Sequence, residues 1–173
     1  TYTQQWFKRE LRRGGNTVLR TPNAFITFDS RPHTTRSNHM GHQIRIPGKY
    51  KIKASVFAYQ ASTPVTFCIY RSSDIGGNSD LVGSWQIDPD KPREIEVTQY
   101  FAPGDFFFLA LEDADWQKDG RGIFSVGARK YKGEGIGIRK LSFEGPLESQ
   151  WPPKRTKDLL GKVKLEQSGD GSY

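Results

Sequence analysis

KYKIKASVFAY, Lys49 to Tyr59, decides the fold. Successive side chains of an extended chain point to opposite faces, so a two-residue rhythm of polarity marks a half-buried strand. Tyr50, Ile52, Ala54, Val56 and Ala58 lie on one face, and Lys49, Lys51, Lys53 and Ser55 on the other. Phe57 and Tyr59 share the polar face, where large rings are out of place.

The same rhythm recurs on either side. Val65 to Arg71 (VTFCIYR) sets Val65, Phe67 and Ile69 against Thr66, Cys68 and Tyr70. Leu81 to Ile87 (LVGSWQI) follows an oxygen-rich loop, SSDIGGNSD. Arg93 to Phe101 (REIEVTQYF) sets Ile95, Val97 and Phe101 against Glu94, Glu96, Thr98 and Tyr100. Ala102-Pro103-Gly104-Asp105 is a tight turn before Phe106 to Leu111 (FFFLAL), which is apolar on both faces and reads as a central strand covered on both sides. Short strands are expected at Thr17 to Leu19, Ala24 to Phe28, Gln43 to Ile46 and Ile123 to Val126. In Ile136 to Phe143, Ile136 and Ile138 change parity with Leu141 and Phe143, which predicts a bulge near Arg139-Lys140. Helical periodicity is confined to short stretches, Gln4 to Arg12 and Thr156 to Leu160.

Many short strands between turn signals imply an all-β, antiparallel β-sandwich of jelly-roll type. A chain of 173 residues suits one domain with tails. The expected division is an N-terminal segment over 1–16, a sandwich over 17–147 and a linker or tail over 148–173. Only 35% of residues are hydrophobic but 13% are aromatic, so the core must be built heavily from Phe and Tyr. No apolar run approaches the roughly 20 residues needed to cross a bilayer, so no membrane insertion is expected. The chain opens on Thr1 with no Met and no apolar leader, as expected of a piece of a longer protein.

The chemistry on offer narrows quickly. Cys68 is the single cysteine, which excludes an internal disulfide, a thiolate metal cluster and a C-x-x-C-H haem site. No G-x-S-x-G elbow is present. His33, His39 and His42 share one polar loop without a carboxylate among them and read as solvated. Net charge is +7, but the basic clusters flank the strands and lack the interleaved rings of a single-strand channel, so nucleic acid is not the expected partner. Carboxylates gather in EDADWQKDG, where Asp113, Asp115 and Asp119 offer oxygens to calcium, although Trp116 breaks the EF-hand series. The aromatics are more informative. Flat rings on a polar face stack on the C–H faces of sugars, and polar neighbours then read hydroxyls. Tyr59, Tyr70, Trp85, Tyr100 and Trp116 are the ring candidates.

One phrase adds a resemblance. LSFEGPLESQWPPKRTKDLLG, Leu141 to Gly161, resembles a segment of large secreted planctomycete proteins that carry a c-type cytochrome region and domains of the DUF1587/DUF1592 type. GKYKIKASVFAYQ, LVGSWQIDPDKP and FAPGDFFFLAL resemble the β-rich region of the same family, which is similar in turn to calcium-associated jelly-roll carbohydrate-binding modules. The chain departs from that pattern in lacking the acidic N-terminal strand and the haem motif. The resemblance implies a secreted, periplasmic or cell-surface location and neighbouring domains of a parent protein as partners. It also implies that Trp151, between prolines, pins the segment leaving the sandwich. Residues and resemblance together lead to one expectation: a non-catalytic carbohydrate-binding module that takes a polysaccharide or oligosaccharide by stacking, with calcium as an aid. The alternative is a sandwich that serves interdomain or protein contacts and binds no sugar.

Overall fold

A computed structural model describes residues 18–28, 44–73, 79–112, 122–147, 158–159 and 161, and the statements below concern these. Eight strands and one helical turn follow in chain order: β1 Val18–Arg20, β2 Phe25–Thr27, β3 Gly48–Tyr59, β4 Val65–Ser72, β5 Ser79–Ile87, β6 Arg93–Phe101, β7 Phe106–Leu111, α1 Ile123–Val126 and β8 Gly135–Glu144. They form a five-stranded sheet, ordered β1-β2-β8-β3-β6, and a three-stranded sheet, ordered β5-β4-β7. Every pairing is antiparallel.

The pairings are nested along the chain. β4 pairs with β5, β3 with β6, and β2 with β8, so each pair encloses the one before. Beyond the β4–β5 hairpin the chain passes repeatedly between the sheets, which is the winding of a jelly roll. The inner faces meet in one core. Tyr50, Ile52, Ala54 and Val56 of β3 meet Val65, Phe67 and Ile69 of β4, with Leu109 and Leu111 of β7. At one end Tyr50 stacks on Phe143 at 4.6 Å, and Phe107 stacks on the same Phe143 at 5.0 Å. Phe101 stands edge-on to Tyr50, Phe143 and Phe107. Burying one such ring stabilises the fold by roughly 1.5–3 kcal/mol, so a few aromatics make up for the modest apolar content.

Two arginines tie the open side of the sandwich, where edge strands β5 and β6 lie. Arg71 of β4 donates from Nη1 to the Tyr100 carbonyl of β6 at 3.2 Å and ion-pairs with Asp80 of β5. Arg93 of β6 donates to the Gln86 carbonyl of β5 at 3.0 Å.

The expected bulge is present. Ser55 pairs with Lys140 and Val56 with Ile138, leaving Arg139 as the extra residue. Two expectations change. Ile123–Val126 is a helical turn, not a strand: the Ser125 and Val126 amides return to the Gly122 carbonyl, as does the Ser125 hydroxyl. Four apolar residues are too few for periodicity to distinguish the two. Ile44 and Arg45 form no strand; Ile44 is held by the turn before β7, giving its N–H to Asp105 and taking one from Gly104. β7 is buried on both faces as expected, and among the described residues it pairs with β4. Cys68, Phe106, Phe108 and Ala110, on the face of the small sheet away from the core, are also buried, so both faces of this strand are covered. The expected helix at Gln4 to Arg12 and the docking of Trp151 lie outside the described residues; in the expected C-terminal helix, residues 158–159 are helical.

Candidate functional site

Strand alternation puts the polar half of the five-stranded sheet on its outer face, where register fixes each neighbour. Lys49 lies opposite Tyr100, Lys51 opposite Thr98, and Lys53 opposite Glu96. On the other side of β3, Lys51 faces Glu144, Lys53 faces Ser142, and Ser55 faces Lys140. Glu96 sits between two lysines, with Lys51 Nζ at 3.2 Å from Oε1 and Lys53 Nζ at 3.1 Å from Oε2. Those two contacts, Lys53 foremost, hold its carboxyl below the ordinary glutamate value. Lys49, Lys51 and Lys53 are thus set among Glu94, Glu96 and Glu144. Three cations against three anions leave this part of the face nearly neutral, despite the basic character of the whole chain.

Tyr100 stands at the corner of this grid with half of its surface, 50%, open to solvent. Its backbone is fixed by Arg71, so the ring is carried on a pinned edge strand. Among the described residues it is the one aromatic ring classed as exposed.

The other ring candidates do not assemble with it. Tyr59 is on the same outer face but is half-buried, with Phe28 edge-on at 5.8 Å. It belongs to a second apolar cluster in which Ile26, Phe28, Ile123, Ala128 and Tyr131 cover the far end of the face. Trp85 is also half-buried; it faces the core, 6.0 Å from Phe67, over Gly83, where an added Cβ would meet the indole at 2.5 Å. Tyr70 lies on the outer face of the other sheet, where its hydroxyl donates to Glu112 Oε2 at 2.7 Å. Burial, then that carboxylate, then Cys68 push its phenol well above the ordinary tyrosine value. Trp116, Asp113, Asp115 and Asp119 lie outside the described residues. Among the described residues no group of three or more His, Cys, Asp or Glu is placed to hold a metal ion, and no helix is long and apolar enough to cross a membrane.

Two features escaped the sequence reading. The Arg139 guanidinium lies over the Phe57 ring, 4.8 Å from its centroid, so the ring that looked stranded on a polar face is capped. Only the bulge brings Arg139 there, and the parity slip was the available signal. Leu81 of β5, 55% exposed, is an open apolar group that the register shift in β5 turns outward.

No family model matches this sequence, and no curated protein does. Among solved structures, the chain is similar to the CBM22-1 xylan-binding domain from Paenibacillus barcinonensis Xyn10C, with a TM-score of 0.43 and 11% identity over 73% of this chain and 78% of that one. It is also similar to a pentameric capsid protein isolated from metagenomic phage sequences, with a TM-score of 0.30 and 14% identity over 82% of this chain and 78% of that one. Likeness at these levels spans proteins of unrelated roles and does not say what this chain binds.

Proposed function

We propose that the chain is a non-catalytic polysaccharide-binding sandwich whose ligand lies across the outer face of the five-stranded sheet, with Tyr100 as its stacking ring. One observation carries this reading: an exposed ring, 50% open, borders a nearly charge-balanced array of lysines, glutamates, Thr98 and Ser142. Such an array offers donors and acceptors at the spacing of neighbouring strands, about 4.8 Å, and suits a polyhydroxylated chain. It suits a nucleic-acid backbone poorly, because phosphate binding draws on a surplus of cations. One ring and a few polar contacts make for modest affinity at a single site. Calcium, extracytoplasmic location and neighbouring domains stay part of the proposal through the resemblance described above.

Pull-down with insoluble cellulose and xylan, and titration with their soluble fragments, tests it. Measurements are made with calcium and with a chelator. Saturable binding that falls at least tenfold in Tyr100→Ala, with the melting temperature lowered by only about 2–4 °C, is the expected result. A second reading is an interaction sandwich with no sugar ligand, and the exposed Leu81, at 55%, and Leu147, at 44%, favour it. Absence of saturable binding to every polysaccharide in both calcium conditions would select that second reading.

A further inference from the structure

The far end of the same sheet face has a different electrostatic character. Between residues 122 and 140 the chain carries Arg129, Lys130, Lys132, Arg139 and Lys140 against a single carboxylate, Glu134. All five cations are exposed. Among the described residues none of the five forms an ion pair, in contrast to Lys51 and Lys53, which share Glu96.

The fold sets Arg139 and Lys140 on the sheet face whose far end is covered by the segment bearing Arg129, Lys130 and Lys132. Arg139 and Lys140 are at the bulge of β8, where the Arg139 guanidinium lies over the Phe57 ring. Tyr59 is two residues further along β3 on the same face, about 7 Å away. There it packs in the second apolar cluster with Tyr131, through Phe28, which stands 5.8 Å from Tyr59 and 5.2 Å from Tyr131. Tyr131 is buried, whereas Arg129, Lys130 and Lys132 beside it in sequence are exposed, so the covering segment carries its charge on the outside. A turn closed by the Lys130 and Tyr131 amides on the Gly127 carbonyl fixes the loop that bears them. Phe57 holds the Arg139 guanidinium over its ring, and the fork of N–H donors on a guanidinium suits a two-point contact with a carboxylate or sulfate.

We infer that this basic end binds the acid groups of a carboxylated polysaccharide, as a subsite separate from Tyr100. The inference rests on the proposed function only in taking the polymer to be a polysaccharide. A nucleic acid fits less well, because Phe57 is capped by Arg139 and Tyr131 is buried, so neither offers a ring for a base.

The test uses polygalacturonate and the same polymer with its carboxylates methyl-esterified. The whole chain should bind the free acid at least tenfold more tightly than the ester, and the advantage should shrink as salt rises. Arg139→Gln with Lys140→Gln should remove most of that advantage. Arg129→Gln with Lys130→Gln, which leaves the Phe57 cap in place, should lower it several-fold. Tyr100→Ala should leave the ratio of acid to ester unchanged. Equal binding of acid and ester, or no response to either double substitution, would overturn the inference. So would tighter binding of a single-stranded oligonucleotide of equal charge number. Binding of cellulose or xylan through Tyr100 without any preference for polygalacturonate overturns this inference alone. Preference for polygalacturonate without a Tyr100-dependent ligand overturns the proposed stacking site alone.

Discussion

Tyr100 and Phe101 are consecutive residues of β6 that point in opposite directions, and replacing each by alanine should separate folding from binding. Phe101 is fully buried, with three aromatic neighbours edge-on at 5.6 to 6.3 Å. Truncating a buried Phe costs about 3–5 kcal/mol, made up of lost transfer free energy and the cavity left behind. The ring contacts place Phe101→Ala in the upper part of that range, since each pair adds about 0.5–1.5 kcal/mol beyond area. For a chain of this size that corresponds to a fall in melting temperature of about 10 °C or more. Tyr100 is half exposed. A fully buried aromatic ring covers about 150–250 Å², so Tyr100 hides about 100 Å², part of which alanine and the unfolded chain also hide. Tyr100→Ala should therefore cost about 1 kcal/mol in stability, while lowering polysaccharide affinity at least tenfold. Calorimetric melting and titration on the same preparations measure both. Equal destabilisation by the two substitutions would refute the assignment of faces, and the stacking proposal with it.

Three further outcomes follow from the geometry. Gly137→Ala puts a Cβ 2.1 Å from Phe57 Cζ and should cost about 1–3 kcal/mol; in chemical denaturation, Phe57→Ala should recover most of that loss when the two are combined. The raised phenol of Tyr70 stays protonated in the folded chain after the unfolded chain ionises near 10.0. Stability is fully present below that value and falls as pH rises above it, so Tyr70→Phe should flatten the alkaline limb of a pH–stability profile. The lowered carboxyl of Glu96 acts oppositely: its contribution is present above the ordinary value of 4.5 and is lost as pH falls through the depressed one, so Glu96→Gln should remove that acid-side step, read by pH-dependent melting.

The fold was largely legible because alternation is a local property of a strand. β6 and β7 coincide with their readings at Arg93–Phe101 and Phe106–Leu111, and β3 differs by the one residue Gly48. The β8 slip in parity pointed to the bulge that register confirms. What sequence could not give is which outward ring stays open, because that depends on segments distant along the chain. Tyr59 looks free beside Phe57 in sequence, yet residues 123–131 cover it. Trp85 reads in sequence as a stacking ring, whereas its position two residues before the buried Ile87 turns it toward the core. Tyr100 is open because β6 is an edge strand, and edge position is set by pairing order. The near neutrality of the grid is likewise invisible in the net charge, since it depends on which glutamates lie opposite which lysines.

The position of β8 bears on synthesis. It is the last of the described strands, yet it lies between β2 and β3 in the large sheet. Phe25 must wait for Ile138, roughly a hundred residues later, before its strand has a neighbour on that side. At ribosomal speeds of about 5–20 residues per second, the emerging polypeptide spends several seconds with two unsatisfied sheet borders, the condition in which partly made β proteins stick to one another. The β4–β5 hairpin closes early and cheaply, while the slow step is the arrival of a distant partner, so a nascent chain stalled before residue 135 is a split sheet and not a smaller domain.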